Sequence, residues 1–258
     1  MRVRAVALAL WIALTISVAG CSKKEPEESA EPPAPTAVVD PATSGSITGT
    51  VRLEGAPPEF KPIDMSAEAA CMKANPRPVV PAIVVTGPHD ALANAVVYVK
   101  SGLGRYRYEL SQQSVALDQK GCMYDPRVLA MTVDQTLEVK NEDPTIHNVH
   151  PMPILNHAWN KSEPVGEPPI EAKFTKPELA IPIACNIHPW MRAFLFVFDN
   201  PYFAITPKTG TFELKNLPPG TYTIEAWHER FGKRDETVTL GAKGSATVAF
   251  VFSAAPSH

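Results

Sequence analysis

The chain has 258 residues, and 24 Lys and Arg against 27 Asp and Glu give it a formal net charge of −3. A mildly acidic chain without a basic run is a poor candidate for nucleic-acid binding, so we expect no nucleic-acid partner. The length allows one large or two small cores, and no long segment has the 3.6-residue helical period.

The first twenty residues have the pattern of a secretory signal. Arg2 and Arg4 precede a short apolar run, which closes on the small residues before Cys21. The run is too short to span a bilayer comfortably. We therefore predict a signal peptide over 1–20.

A cysteine directly after Val-Ala-Gly resembles the lipobox of bacterial lipoproteins. The resemblance implies that Cys21 is acylated and anchors the chain to a membrane. Ser22 follows, at a position that in such lipoproteins usually permits export to the outer membrane. The lipobox resemblance therefore implies a membrane-anchored location in the periplasm or at the cell surface. A soluble secretory signal, with Cys21 an incidental thiol, is the alternative.

Residues 21–45 are rich in Pro, Glu, Ala and Ser and contain almost no large apolar side chains. Such a composition cannot bury enough surface to fold, so it predicts a disordered tether.

From residue 46 onward, short apolar or alternating runs predict a β protein throughout. One or two helical turns are expected over 65–73. The predicted strands cover 47–53, 82–85, 94–99, 115–117, 128–133, 136–140, 193–198, 212–214, 222–226, 237–240 and 246–252.

Cys185, His188 and Met191 follow one another at intervals of three residues, and His147 comes shortly after the turn signal that ends at Pro144. A thiolate, two imidazoles and a thioether are the ligands of a mononuclear type 1 copper ion. Alone, a histidine after a turn is usually solvated and a cysteine among apolar residues is usually core. The coincidence of all four residues predicts a copper site.

Other metals and chemistries fit this pattern less well. Structural zinc seldom uses Met, a binuclear copper centre needs a second cysteine beside Cys185, and multicopper oxidases need several His-x-His pairs. A c-type haem needs Cys-x-x-Cys-His, which the sequence lacks. No acid/base pair or activated nucleophile stands out, so we do not expect an enzyme.

The motif Asn-x-Asp-x-x-x-His147-Asn-Val, followed by Cys185-x-x-His188-x-x-Met191, resembles the cupredoxins of the amicyanin and plastocyanin group. The resemblance implies a Greek-key β-sandwich over 113–199 in which His147, Cys185, His188 and Met191 bind copper. It also implies that Asn148 braces the Cys185 loop by hydrogen bonding.

Two positions depart from the cupredoxin pattern. Asp134 stands where glycine is usual, and Asn186 stands where Thr or Ser is common but can still hydrogen-bond. His150 is expected to line the site rather than to bind metal. His157 and His228 are expected to be ordinary surface or hydrogen-bonded histidines.

The cupredoxin resemblance also carries an expectation about electron flow. Pro189 and Trp190 would form an exposed apolar patch, through which electrons leave by the imidazole edge of His188.

A second motif lies on either side of that region. Gly49-Thr-Val at one end and Leu217-Pro-Pro-Gly-Thr-Tyr at the other resemble carboxypeptidase regulatory-like (transthyretin-like) domains, which are small seven-stranded sandwiches. The resemblance implies a second, smaller sandwich built from 46–112 and 200–253, with the cupredoxin-like domain nested between them. A tandem of 46–199 and a C-terminal sandwich is the alternative.

The remaining cysteines, Cys71 and Cys122, are expected to form a disulfide if the chain is exported to an oxidising compartment. Two free buried thiols are the alternative.

Together these features predict an extracytoplasmic, lipid-anchored blue copper protein that carries single electrons to or from a redox partner protein, a cytochrome or a copper enzyme. Capture or delivery of copper is one alternative. A cell-surface β-sandwich that binds peptide or glycan and has a vestigial metal site is another.

Overall fold

The computed structural model of the chain describes residues 37–254. The predicted signal peptide (1–20), the predicted acylation site Cys21 and the first part of the tether lie outside this range. Within it, no helix is long and apolar enough to cross a membrane.

The end of the predicted tether is ordered, which differs from the expectation. Ala37–Val38 forms a short strand that pairs in parallel with Tyr106–Arg107. Asp40 then holds a turn, since its side chain accepts a hydrogen bond from the Ala42 amide at 2.8 Å and its carbonyl accepts one from the Ser44 hydroxyl at 2.8 Å. Composition predicts whether a segment can build its own core, but it does not reveal pairing with a distant strand.

The described chain is almost entirely β, and the prediction of an all-β fold is confirmed. One short helix, α1, covers Ala69–Ala74, and a 3-10 turn covers Pro88–Asp90. The strands are β1 (Ala37–Val38), β2 (Gly45–Glu54), β3 (Val96–Ser101), β4 (Tyr106–Arg107), β5 (Val115–Gln119), β6 (Tyr124–Asp125), β7 (Val128–Thr132), β8 (Thr136–Asn141), β9 (His147–Pro151), β10 (Lys161–Glu163), β11 (Ile170–Lys173), β12 (Glu178–Ala184), β13 (Arg192–Phe198), β14 (Phe203–Ile205), β15 (Thr211–Leu217), β16 (Gly220–His228), β17 (Gly232–Leu240) and β18 (Ser245–Ser253).

The middle of the chain forms two sheets around one core. A five-stranded sheet has the order β10-β9-β12-β13-β7, and a four-stranded sheet has the order β11-β8-β5-β6. Side chains of both sheets meet between them, among them Leu117, Met131, Val139 and Leu195, and these four are fully buried. We call this pair of sheets the site sandwich, because all four predicted copper ligands lie on it or on its loops.

The two ends of the chain form a second pair of sheets, with the orders β14-β3-β16-β17 and β15-β2-β18. We call these seven strands the flanking sandwich. Within the sheet β15-β2-β18, both neighbours of β2 come close to Gly49, where an added Cβ would lie 2.0 Å from the carbonyl oxygen of Val248 and 2.5 Å from the Phe212 ring. A side chain at this position would therefore force the strands apart, which is why the β2 sequence needs glycine here.

The two sandwiches share an aromatic interface. The outer faces of β7 and β13 pack on those of β3 and β16, and the rings of Phe196 and Trp227 lie 4.9 Å apart in an edge-on arrangement. At its border, Nη2 of Arg127 donates a hydrogen bond to Glu229 at 2.8 Å. This interface accounts for the nearly continuous apolar run of β13, both of whose faces are covered.

Some local predictions differ from the structure. Residues 82–85 are not a strand; the neighbouring Thr86 makes only an isolated bridge to Leu92. Asp134, at the position where glycine is usual in cupredoxins, has φ of 60°, and Asp is one of the residues that tolerate this left-handed conformation better than most.

Candidate metal centre

His147 is the first residue of β9, directly after the turn that leaves β8. Asp143 within this turn accepts hydrogen bonds from the amides of Gly121 and Cys122, both at 2.7 Å, and its Oδ2 lies 2.9 Å from Nε2 of His147. One carboxylate thus joins two loops and fixes the orientation of the imidazole. The remaining ring nitrogen, Nδ1, is left to face the interior of the site.

The other three candidate ligands lie on the tight loop between β12 and β13. The amide of Cys185 donates to the carbonyl of Met191 at 3.2 Å, and the amide of Met191 donates to the carbonyl of His188 at 2.9 Å. The amide of His188 in turn donates to Sγ of Cys185 at 3.4 Å. These hydrogen bonds join the two ends of the loop. The side chains of Cys185, His188 and Met191 are therefore fixed relative to one another and to the strands β12 and β13.

The structure brings the candidate ligands together in a buried cluster. Nδ1 of His147 lies 2.8 Å from Nδ1 of His188, and Sγ of Cys185 lies 3.9 Å from the latter atom. Ligand atoms of these three residues all lie within 4.8 Å of one another. The Met191 side chain is fully buried in the same core cluster as Cys185.

The Asn148 side chain contacts the loop that carries Cys185. Its Oδ1 accepts a hydrogen bond from the Asn186 amide at 2.6 Å and lies 3.3 Å from Sγ of Cys185. The side chain of Asn186 reaches His150, with 3.3 Å between Oδ1 and Nδ1. His150 therefore stands at the border of the cluster, hydrogen-bonded to the loop.

Electrostatics in the cluster favour the thiolate form of Cys185. Burial alone would raise its pKa, but hydrogen bonds from His147 and from backbone amides outweigh burial, and the net pKa lies below the usual value. Burial likewise disfavours the charged form of His147, yet its hydrogen bonds to Asp143 and Cys185 raise the pKa to about 9. The thiolate is the form of cysteine that binds metals.

A disulfide lies against the outer side of the cluster. Cys71 in α1 is bonded to Cys122, with 5.6 Å between their Cα atoms, while Cys185 is a free, buried cysteine. Sγ of Cys71 lies 3.7 Å from Nε2 of His188. The Trp190 ring packs at 5.2 Å from the His188 ring, and its indole nitrogen donates to the carbonyl of Cys122 at 2.9 Å.

The expected apolar patch is only partly exposed, and the imidazole edge of His188 does not reach the surface. His188 has no exposed surface, although Pro189 beside it is exposed and Trp190 is half-buried. The cause is α1 with its disulfide, which covers the face of His188 that the loop alone would leave open. Sequence spacing within the loop carries no information about a segment more than a hundred residues upstream.

Three side chains contribute to the site although the sequence assigned them no role. Asp143 belongs to the motif that carries the cupredoxin resemblance, and its place four residues before His147 was enough to suggest a contact between them. Glu68, whose carboxylate lies 3.9 Å from Nε2 of His188, gave no signal. The buried Glu163, which accepts a hydrogen bond from the Asn141 amide at 3.0 Å beside the β8–β9 turn, gave none either.

Cys122, Asp143 and His147 also form a compact group of potential ligands. Because Cys122 is in the disulfide, its sulfur is not available as a thiolate. Among the described residues, this leaves His147, Cys185 and His188 as the group of His, Cys and carboxylate ligands able to hold a metal ion.

The sequence matches no protein-family model, and no curated protein gives a significant match. Solved structures that resemble the chain include a Cu-containing nitrite reductase from Thermus scotoductus SA-01 (21% identity, TM-score 0.31), covering 39% of this chain and 26% of that one. A purple cupredoxin from Nitrosopumilus maritimus has 23% identity and a TM-score of 0.26, and the match covers 29% of this chain and 81% of the cupredoxin. An oxidised mutant of amicyanin has 20% identity and a TM-score of 0.29, and the match covers 39% of this chain and 97% of the amicyanin chain. Likenesses of this strength do not assign the chain to a family.

Proposed function

We propose that this chain is an extracytoplasmic, lipid-anchored type 1 copper protein that carries single electrons. One observation carries the proposal: two imidazole Nδ1 atoms and one cysteine sulfur converge inside a core, with a methionine side chain buried beside them. The proposal includes no catalytic activity for the chain itself.

The donor set fits copper better than other common metals. Two imidazoles and a thiolate suit both copper oxidation states, and a thioether is a weak axial ligand found in blue-copper sites. Metal–ligand bonds of about 2 Å place ligand atoms about 3–4 Å apart, similar to the spacing of His147, Cys185 and His188. Copper bound there would supply a reversible one-electron couple.

The protein's own residues would favour fast electron exchange by keeping the ligands still. The loop hydrogen bonds fix Cys185, His188 and Met191 relative to one another, and Asp143 fixes the ring of His147. Burial of the cluster excludes water, which would otherwise offer competing ligands. A site held in this way needs little rearrangement when its charge changes.

Burial also favours electron transfer over copper delivery as the function. A delivery protein must pass its ion to another protein, which is easier when at least one ligand is accessible. His147, Cys185, His188 and Met191 are each at most 2% exposed. A redox partner, in contrast, needs only to approach the surface above the site, and a cytochrome or a copper enzyme is the kind of partner proposed.

Titration of the metal-free protein with Cu(II) tests the proposal. An intense absorption band near about 600 nm is expected for copper bound to a thiolate, and its absence from the wild-type protein would overturn the proposal. Cys185→Ala is the matched variant: it should lose the band and keep the fold, since one loop thiol contributes little to the cores. Reversible one-electron voltammetry with slow copper loss then argues against delivery.

The membrane anchor is tested separately. Incorporation of labelled palmitate into the exported protein is expected to depend on Cys21. Labelling that persists in Cys21→Ala, or that is absent from the wild type, would contradict lipid anchoring and leave the copper site unaffected.

A further inference from the structure

His188 is covered by a segment that does not belong to the site sandwich. This segment, residues 63–79, is closed at its base by a hydrogen bond from the Ile63 amide to the Val79 carbonyl at 2.8 Å. It contains α1 and is fixed to the site sandwich by the Cys71–Cys122 disulfide. We call it the strap.

The strap lies on the Nε2 side of His188. Nδ1 of this ring faces Nδ1 of His147 and Sγ of Cys185, whereas Nε2 faces the strap. If Nδ1 binds a metal, Nε2 carries the proton of the neutral ring and acts as a hydrogen-bond donor. Because His188 is fully buried, that donor cannot turn to bulk water.

Two strap atoms face Nε2: Sγ of Cys71 at 3.7 Å and Oε2 of Glu68 at 3.9 Å. A sulfur atom is a weak acceptor, whereas a carboxylate is a strong one and also carries negative charge. The Glu68 side chain is 37% exposed, so it is free to shift by the roughly 1 Å that would bring its carboxylate into hydrogen-bonding distance of Nε2.

We propose that Glu68 is a positioning residue for the copper site and acts through His188. Its carboxylate accepts the Nε2 proton, fixes the ring and makes the imidazole a more basic ligand. With Asp143 on Nε2 of His147, each imidazole then has its own carboxylate partner. This inference rests on the proposed function, because it concerns the same metal site.

The charge of the carboxylate gives the effect a direction. Negative charge on the remote nitrogen stabilises Cu(II) more than Cu(I), because the ion with the higher charge gains more from it. Removal of the Glu68 charge should therefore weaken Cu(II) binding relative to Cu(I) and raise the reduction potential.

The test compares wild type, Glu68→Gln and Glu68→Ala as copper-loaded full-length proteins. Loss of a carboxylate partner from a metal-binding histidine typically costs about 10- to 100-fold in affinity. We expect Glu68→Gln to lose about tenfold in Cu(II) affinity relative to Cu(I), which corresponds to a rise of about 59 mV in the midpoint potential. In Glu68→Ala, which also removes the hydrogen-bond acceptor, the midpoint potential should rise at least as much. The Nε2 proton of His188 should exchange faster with solvent in this variant, measured by NMR.

Glu59→Gln is the matched control, since it removes the same charge from an exposed side chain that precedes the strap. It should leave the midpoint potential unchanged. Equal potentials in wild type and both Glu68 variants, or an equal shift in Glu59→Gln, would overturn the inference. Either of these outcomes is measured on a wild-type protein that shows the copper–thiolate band. Failure of the proposed function is different, because there the wild type itself lacks the band.

Discussion

At the residue scale, two buried histidines differ in how many of their ring nitrogens have a partner. His147 has a partner for each ring nitrogen, with Asp143 on one side and the other candidate ligands on the other. His228, in the flanking sandwich, accepts a hydrogen bond from the Arg230 amide at 3.2 Å, but its buried Nε2 has no hydrogen-bond partner among the described residues. His228 was expected to be an ordinary surface or hydrogen-bonded histidine; it is buried and hydrogen-bonded through one ring nitrogen.

The environment of His228 makes stability depend on pH. Burial, and to a smaller extent the positive charge of Arg127, lower the pKa of this histidine from 6.5 to about 4. As the pH falls below the unfolded value, the unfolded chain binds a proton that the folded chain does not. Stability is therefore lost between about pH 6.5 and pH 4.

We expect the free energy of unfolding to fall by about 1 kcal/mol from this one group between about pH 7.5 and pH 5.5. The window lies above the range in which most carboxylates titrate. Chemical denaturation of the wild type and His228→Gln at both pH values measures the effect, with His157→Gln, which removes an exposed histidine, as control. The same pH dependence in all three proteins would contradict this role of His228.

Residues could be predicted from the sequence where their partners are close in the chain. The interval of three between Cys185, His188 and Met191 is short enough for one loop to bring them together, and Asn148 lies beside His147. Glu68 could not be predicted, because its contact with His188 depends on how the strap crosses the sandwich. A lone glutamate in a proline-rich region carries no signal of that path.

At the scale of elements, the hydrophobic pattern predicted most strands: alternation where one face of a strand lies in a core, and a continuous apolar run in β13, where both faces are covered. β9 was not predicted as a strand, since His147, Asn148 and Pro151 are not typical of strands. β9 is nevertheless a strand, because it pairs with β10 on one side and β12 on the other; Asn148, for example, pairs with Ser162. Tertiary pairing here outweighs local preference.

The strap has little of its own to hold it in place. α1 has six residues, and Cys71 is its buried side chain. Isolated helices of this length are not stable in water. The strap is therefore held by its contacts with the site sandwich: the disulfide, a hydrogen bond from Nδ2 of Asn75 to the Gly121 carbonyl at 2.8 Å, and the buried side chain of Met65.

Removal of the disulfide should cost stability and loosen the strap. The two cysteines are 51 residues apart, and closure of a loop of that length is worth about 4 kcal/mol in the chain-entropy account. We expect Cys71→Ser/Cys122→Ser to be destabilised by up to about that amount in denaturant unfolding, and to exchange copper faster than the wild type.

Thiol alkylation checks the bond itself. Without reductant, neither Cys71 nor Cys122 should be labelled in the exported protein, and after unfolding with reductant both should be. Labelling of either residue in the unreduced, unfolded protein would show that the pair is not bonded.

At the scale of the whole molecule, the arrangement of domains remains a prediction. We propose the nested organisation, with 113–199 inserted between the two parts of a smaller sandwich. It is supported by pairing between the two ends of the chain: β18 runs parallel to β2 over its full length, and β16 pairs with β3. In a simple tandem, these strands would belong to different domains.

Limited proteolysis near Asn200 distinguishes the two organisations. A C-terminal fragment cut there would contain β14–β18 but lack β2 and β3, and so would lose both central pairings. We expect no stable fragment of this kind under native conditions, detected by mass spectrometry over a time course. Accumulation of a folded fragment from about residue 200 to the end would favour the tandem.

The whole-molecule interface shows what a sequence can and cannot reveal at this scale. The apolar run of β13 predicts that both faces are covered, but not by what. The covering surface is formed by Val96, Tyr98 and Trp227, which come from strands about a hundred residues before and thirty residues after it. Their own pattern is equally compatible with an ordinary core.

The order of the cysteines along the chain has a consequence for biogenesis. Cys71 and Cys122 both precede Cys185, so if the chain is exported with its N-terminus first, this pair meets an oxidising compartment before Cys185 arrives. An early bond between them would remove both as mispairing partners of Cys185 and leave its sulfur for metal. The same bond would place the strap before the Cys185 loop folds, so that the loop would close against a cover already fixed in position.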